Sequence, residues 1–582
     1  MRAGRAGLQQ ERAAAEAAPA VQPKAGVRID ARGLTRRVGT ATILGDVSLG
    51  IEPGEVVGIA GGSGTGKTTL LEALGGVRPA DSGTVQFDSV DVYSHLDAFR
   101  TALGYVPQDD IIHAELPLRS TLRYSARLRL AASTGAVEID AAIDDAMRAL
   151  DMQHRARVRV GALSGGQRKR ASIAVELLTK PRVFFLDEPT SGLDPATGAE
   201  LMQVLRKLAK EEGATVVLTT HSPPDLFLCD RVVFLARGGQ LAFEGTPDAA
   251  LRYFGVMHFS EIYLRLNEAT SPEEWSRRFA EQRASLDDGG DVTSAVGSLP
   301  QPRPGAGWVR QWLVSTQRTA ETMLRNRLTL AILVGSPIAV TAMYALLFQP
   351  GAFDLAHPSP TAMIQIGYWV VFASFFFGLT YGLLQICTER AIVSREHMVG
   401  LKLGAYLMAK VAVLLPFLVV VNVAMLGVMR LFNRLPPDSM TIYTELWVTL
   451  SLLSAAALCL GLLASTAVGN PVQATLALPM LCFPAVLFSG AVLPVHLMGT
   501  VGVLISVIQP ARWAFEAVGH DMGARDIFAH GGSPLGPPLL ASYGDAGLLP
   551  TMGYWAWLAT FIAVFLAGTY VVLRWRCRVV SR

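Results

Sequence analysis

The sequence predicts an α/β domain followed by an all-α membrane domain of six helices, and three observations carry that expectation. Hydrophobic residues make up 51% of the 582 residues and charged residues only 17%, against roughly 25% charged in soluble domains, which points to membrane segments. Between residues 28 and 256, short apolar runs such as "EVVGIAG", "RVFFLDEP" and "ATVVLTTH" alternate with longer polar or amphipathic stretches. That is the pattern of a largely parallel sheet with crossover helices. Beyond residue 307 come apolar stretches of about 20 residues, each long enough to cross a bilayer. A net charge of +3 is too small to argue for a nucleic-acid surface.

Residues 1–27 carry charges but no apolar core, so they read as a flexible, Ala-rich tail and not as a cleaved secretory signal. Residues 28–256 follow as the α/β domain. Residues 257–307, rich in Pro, Gly, Ser and charge, read as a linker. The stretch 308–327 is amphipathic and ends at Arg325 and Arg327, as expected of a helix along the membrane surface. The remainder, 328–582, holds the spans, placed near 328–348, 362–386, 408–430, 446–468, 472–493 and 553–573. Lys and Arg in the flanking loops put both termini in the cytoplasm of a plasma (inner) membrane protein, although Arg430 and Arg434 run against the rule. Residues 495–552 then fall outside, and Pro510 within their apolar part favours a re-entrant or surface helix over a seventh crossing. The five cysteines lack metal-ligand spacing and suggest neither a zinc site nor a disulfide framework.

The chemistry begins with "GGSGTGKTT": Gly61, Gly62, Ser63, Gly64, Thr65, Gly66, Lys67, Thr68 and Thr69. It stands between an apolar strand and a helix-like "KTTLLEAL", the context a phosphate loop needs. Glycines let backbone N–H groups close around phosphate oxygens, Lys67 bridges two phosphates and the Thr68 hydroxyl faces Mg²⁺. In "VFFLDEP", Asp187 ends an apolar strand and suits Mg²⁺, while Glu188 suits polarising the attacking water. His221 closes a further strand, and Gln108 in "GYVPQDD" is by itself a weak signal. "LSGGQRKR" at 163–170 reads alone as a basic patch.

Taken in order, the phosphate loop, Gln108, Leu163, Ser164, Gly165, Gly166 and Gln167, "VFFLDEP", "SGLD" with Asp194, and "TTH" ending at His221 resemble the full motif set of the ATP-binding cassette family. The resemblance implies an ATPase with Glu188, His221 and Gln108 catalytic, and Mg²⁺ held by Thr68, Gln108 and Asp187. It also implies that the 163–167 signature completes the ATP site of a second, facing cassette, so that one cassette per chain means a dimer. The basic "RKR" then becomes a helix flank near that interface and not a nucleic-acid site. The aromatic residue that stacks on adenine in the family is missing: the chain reads "LTRRVGTAT", leaving either Arg37 as the stacking group or loose base selectivity.

A cassette followed by six spans resembles the ABCG (White-type) half-transporters, in a bacterial-looking form. "TERAIVSREHMVGLKLGAYLMAK" is similar to the family's coupling loop, with Glu389, Arg390, Arg395 and Glu396 as coupling candidates or as a solvated charge cluster. The resemblance implies ATP-driven export or lipid translocation by a homodimer, or by a pair with a different half-transporter. A membrane ATPase acting as regulator or sensor is the alternative. "FASFFFGL" and "CFPAVLF" suit an apolar cavity for a hydrophobic or amphipathic small molecule or lipid, or equally plain packing against helices and the bilayer. Gln365 and Gln385 are either cavity contacts or interhelical bonds.

Overall fold

The structure, a computed structural model, describes residues 26–99, 102–267, 272–286, 306–354, 357–436, 440–544 and 546–580. It divides into two compact units, one of Met1–Ile112 with Pro117–Pro304 and one of His113–Leu116 with Gly305–Ser581. Of the expected tail, residues 1–25 lie outside the described residues. Val27 is buried and its N–H donates to Thr215 Oγ1 at 3.1 Å, so it belongs to the domain.

In the first unit, β1 (Ile29–Val38), β2 (Ala41–Ile51), β4 (Ser82–Phe87) and β5 (Val90–Asp91) make an antiparallel sheet in the order β2-β1-β4-β5. A second sheet runs β10-β9-β3-β8-β7-β6, from β3 (Val56–Gly61), β6 (Leu103–Val106), β7 (Val183–Leu186), β8 (Thr215–Thr219), β9 (Arg231–Ala236) and β10 (Gln240–Gly245). Every pair in it is parallel except β9 with β10. "VVGIAG", "VFFL" and "TVVLT" are buried at every position, as central parallel strands covered on both faces must be. Helices α1 (Lys67–Leu74), α2 (Gly165–Leu177) and α3 (Pro195–Glu212) follow strands or the signature turn.

The expected linker is in part folded. α4 (Phe259–Asn267) and α5 (Pro272–Leu286) are helices, and Phe259, Trp275 and Phe279 join the hydrophobic core of this unit. Trp275 lies 5.1 Å from Phe254 and Phe279 lies 5.7 Å from Phe243, ring centre to ring centre. The aromatic pair at i and i+4 is what turns this polar text into a docked helix. Residues 287–305 of that linker lie outside the described residues.

The second unit opens with α6 (Trp308–Arg325), the expected amphipathic helix. Its buried stripe is Gln311, Val314, Ser315, Arg318 and Thr319, largely polar, whereas Trp308, Val309 and Leu313 are exposed. Helices α7 (Arg327–Leu347), α8 (Pro360–Leu383), α9 (Arg390–Met398), α10 (Leu403–Leu431), α11 (Met440–Ala467) and α12 (Pro471–Leu487) follow. Then come α13 (Thr500–Val507), α14 (Pro510–Asp521) and, last, α15 (Thr551–Val580). Five of these, α7, α8, α10, α11 and α15, are long and apolar enough to cross a membrane; α13 and α14 meet the requirement only together and are bent by 83°. The fifth expected span is shorter than read: α12 has 17 residues and stops at Leu487, where Phe488 leaves helical geometry and Gly490 takes φ 86°.

Spans pack through small residues. A Cβ on Gly378 would lie 2.4 Å from Ser454 O and one on Gly461 2.5 Å from Leu379 O, so α8 and α11 touch backbone to backbone. Beside that seam, Asn422 on α10 accepts from Ser374 Oγ at 2.9 Å and donates to Ser454 Oγ at 3.0 Å, tying three helices.

Most charges of the 388–410 stretch are withdrawn from solvent: Arg395, Glu396 and Lys410 are buried and Glu389 and Arg390 are half-buried, whereas Lys402 is exposed. Glu396 pairs with Arg318 of α6 in a two-pronged ion pair, one N–O distance being 2.9 Å, and Arg395 is 5% exposed. Glu389 accepts from Lys410 Nζ at 2.8 Å and Tyr406 OH at 2.9 Å. Burial by itself pushes the Glu389 carboxyl up, but Lys410, His113 and Arg318 together outweigh it and hold the group well below the usual carboxylate range. Gln311 pins α6 to the same loop, donating to Gly400 O at 3.0 Å and accepting from Lys402 N at 2.7 Å. Removing one partner of a buried pair strands the other charge. Arg318→Met is therefore expected to cost about 3–5 kcal/mol, and Arg318→Met with Glu396→Met to recover most of it. Thermal unfolding of the two variants in detergent compares them directly.

Candidate functional site

The phosphate loop forms because β3 ends at Gly61 and α1 starts at Lys67, leaving five residues to turn the chain. Gly61 and Gly66 have φ 153° and 90°, and a Cβ on either would lie 2.6 Å from Leu235 O or 2.5 Å from Ile43 O. Only glycine fits both the dihedral and the space. The Lys67 ammonium donates to Gly61 O at 3.0 Å and Gly62 O at 2.8 Å, closing the loop on itself. Burial lowers its pKa, with Glu188 and Asp187 acting in the opposite sense. Ser63, Gly64 and Thr68 are exposed at the mouth.

Strand register then brings the carboxylates to the loop. Leu186 of β7 pairs with Leu218 of β8, so Asp187 and Thr219 emerge side by side at the carboxyl edge of the sheet, where ligands of such folds bind. Asp187 Oδ1 accepts from Thr68 Oγ1 at 3.1 Å and from Thr219 Oγ1 at 2.6 Å. Glu188 has φ 45°, in the left-handed region, a strain of about 1–3 kcal/mol for a residue with a side chain. Its N–H is held by Thr219 Oγ1 at 2.9 Å. Its two carboxylate oxygens face Gln108 Nε2 at 3.1 Å and His221 Nδ1 at 3.4 Å. The structure thus brings together Lys67, Thr68, Gln108, Asp187, Glu188 and His221.

Ser164, Gly165 and Gln167 make a different feature. Ser164 caps α2: its Oγ accepts from Gln167 N at 3.4 Å, while its own N–H donates to Gln167 Oε1 at 3.3 Å. Ser164 and Gly165 are exposed, Leu163 and Gly166 are buried, and a Cβ on Gly166 would meet Thr197 Cγ2 at 2.7 Å. The signature is thus an open, capped helix N-terminus, a shape suited to an anion. Asp194 caps α3, accepting from Thr197 N at 3.0 Å.

An ABC transporter family model matches residues 44–191 and an ABC-2 type transporter model matches residues 310–520. The chain belongs to the ABC transporters. It is 32% identical over 94% of its length to the ABC transporter ATP-binding/permease protein Rv1747 of Mycobacterium tuberculosis, covering 63% of that protein. It is 38% identical over 36% of its length to ATP-binding cassette sub-family G member 5 of Mus musculus, covering 33% of it. The chain thus spans less than two thirds of these relatives. Among solved structures, cbiO1 of Clostridium perfringens aligns with 45% of this chain and 99% of its own at 26% identity, with a TM-score of 0.37. The cassette ahead of the membrane helices is the G-type arrangement.

In this ABC transporter, no cluster of three His, Cys, Asp or Glu side chains suited to a metal occurs among the described residues. The donor set near the phosphate loop, one carboxylate, one hydroxyl and one amide, fits Mg²⁺ shared with nucleotide phosphates and waters. Arg37 stands near the end of β1, opposite Thr42, with its N–H donating to Asp81 Oδ2 at 2.7 Å. Val38 beside it is 62% exposed. Two groups were not found by sequence reading. Thr219, inside the quoted "TTH", joins Asp187 to the Glu188 backbone; Lys169, inside the basic cluster, is 4% exposed and donates to Pro107 O and Gln108 O. Removing the Thr219 hydroxyl leaves the Glu188 N–H unpaired, at about 1–3 kcal/mol. Thr219→Val is expected to lower Mg²⁺-dependent ATP hydrolysis while Thr219→Ser retains it, as steady-state phosphate release will report.

Proposed function

We propose that this chain is one half of an ATP-driven exporter or lipid translocase that works as a dimer, a second copy of itself being the first candidate partner and a different half-transporter the other. The observation that carries the reading is the meeting of the phosphate loop, Asp187, Glu188, Gln108 and His221 at one sheet edge, in a chain with helices able to cross a membrane. Thr68, Gln108 and Asp187 are the residues for Mg²⁺, which neutralises charge on the transferred phosphoryl group when bound. Glu188, its oxygens addressed from two sides, takes the proton of the attacking water. His221 and Gln108 orient that carboxylate. The open Ser164 turn is the part a facing cassette uses, its capped N-terminus meeting the γ-phosphate in the partner's site.

Closure of two cassettes has to reach the spans. The buried pairs Arg318–Glu396 and Lys410–Glu389 make α6, α9 and the start of α10 one stiff body, and Arg390 and Arg395 complete the group we assign to coupling. The cargo is hydrophobic or amphipathic. Phe375 and Phe377 are packed inside the bundle and Gln385 accepts from Lys410 at 3.5 Å, so these are structural, while Phe483 is exposed on α12 and Gln365 near the start of α8. The protein sits in the plasma (inner) membrane with both termini cytoplasmic.

The test is Mg²⁺-dependent ATP hydrolysis by the full chain in lipid nanodiscs. Wild type is expected to turn over and Glu188→Gln to lose turnover while still binding ATP. A Glu188→Gln variant that hydrolyses normally removes the base from Glu188.

A further inference from the structure

The sheet holds the chain leading to Gln108 only as far as Val106, whose carbonyl accepts from Asp187 N at 2.9 Å. β6 ends there. The next two carbonyls, Pro107 O and Gln108 O, both accept from the Lys169 ammonium, at 3.0 and 2.8 Å. Lys169 lies on α2, five residues beyond Ser164, and is 4% exposed. Its neighbours Arg168 and Arg170 bond elsewhere, to Leu163 O at 3.3 Å and to Glu200 at 2.6 Å. Taking an ammonium out of water is costly unless it is fully hydrogen-bonded, and a methionine would fill the same channel without that cost. What the lysine adds is a grip on two successive carbonyls of one loop.

We infer that Lys169 is a positioning residue for Gln108, tethering the Gln108 loop to the signature helix so that the Gln108 amide is presented to Glu188 and Mg²⁺ in one fixed place. Movement of the signature turn then carries Gln108 with it. In a dimer, the helix that completes the partner's site thereby adjusts the chain's own. The inference rests on the hydrolytic reading of the site for its consequence, but the tether itself is independent of that reading.

Two measurements on the full chain in nanodiscs separate them. First, hydrogen–deuterium exchange without nucleotide compares wild type with Lys169→Met. Faster exchange confined to residues 108–112, with α2 unchanged, is the expected result; unchanged exchange in that loop overturns the tether whatever the ATPase does. Second, ATP hydrolysis is compared across wild type, Lys169→Met, Gln108→Ala and the double variant. Lys169→Met is expected to lower kcat about tenfold, equivalent to ~1.4 kcal/mol, and to raise the Mg²⁺ concentration for half-maximal rate, with ATP binding without Mg²⁺ unchanged. The double variant should be no slower than Gln108→Ala, because both remove the same contribution. A double variant slowed by the product of the two single effects, or an unshifted Mg²⁺ requirement, overturns the assignment to Gln108. Lys169→Arg, which keeps donors on a comparable stem, should restore part of the rate and the slow exchange.

Discussion

One buried carboxylate organises the cassette. Asp187, 3% exposed, stands one residue beyond a strand that is buried throughout, and an unpaired charge there would be prohibitive. It is satisfied by two hydroxyls from different elements, Thr68 at the start of α1 and Thr219 at the end of β8, with the Lys67 ammonium acting on it by charge. Those bonds lock the phosphate loop to two strand ends. The same Thr219 oxygen holds the N–H of Glu188 in its left-handed conformation. The reactive geometry therefore follows from satisfying one charge, and the strain at Glu188 is offset by bonds that the sheet register supplies.

The membrane half meets the same problem of buried polarity with fewer options. Backbone groups are satisfied within helices, and two clusters of paired side chains show how buried polarity is handled. Ser374, Asn422 and Ser454 bond one another across three spans beside a glycine seam. Arg318, Glu389, Glu396 and Lys410 pair where α6 meets α9 and the first turns of α10. A compact group of paired charges is stiff because any displacement of one member leaves another unpaired. That stiffness is the property a transmission element needs.

What was legible in the sequence was chemistry whose residues must stand at fixed chain positions. The phosphate loop, Asp187 and Glu188 are next to strand ends because strands aim them, and a Gly-rich turn followed by Lys-Thr has few other uses. Thr219 was hidden because a strand threonine is commonplace, and its role depends on the register of two strands distant in sequence. Lys169 was hidden because a basic triplet reads as solvated; its burial follows from the fold around α2. Trp275 and Phe279 were overlooked for a related reason: two aromatics in polar text reveal a docked helix only once the surface that receives them exists. The fifth span was overread because hydropathy runs on past Leu487, whereas the backbone turns at Gly490.

The central claim is that each chain completes its partner's ATP site, and mixing two inactive variants tests it most directly. Lys67→Met chains lack a working phosphate loop, and Ser164→Arg chains lack a working signature. Co-assembled, a mixed dimer has one site with both an intact Lys67 and an intact Ser164 if the signature acts across the dimer, and none if it acts within its own chain. The account predicts ATP hydrolysis from the mixture and none from either variant alone. A mixture as silent as its components would contradict it.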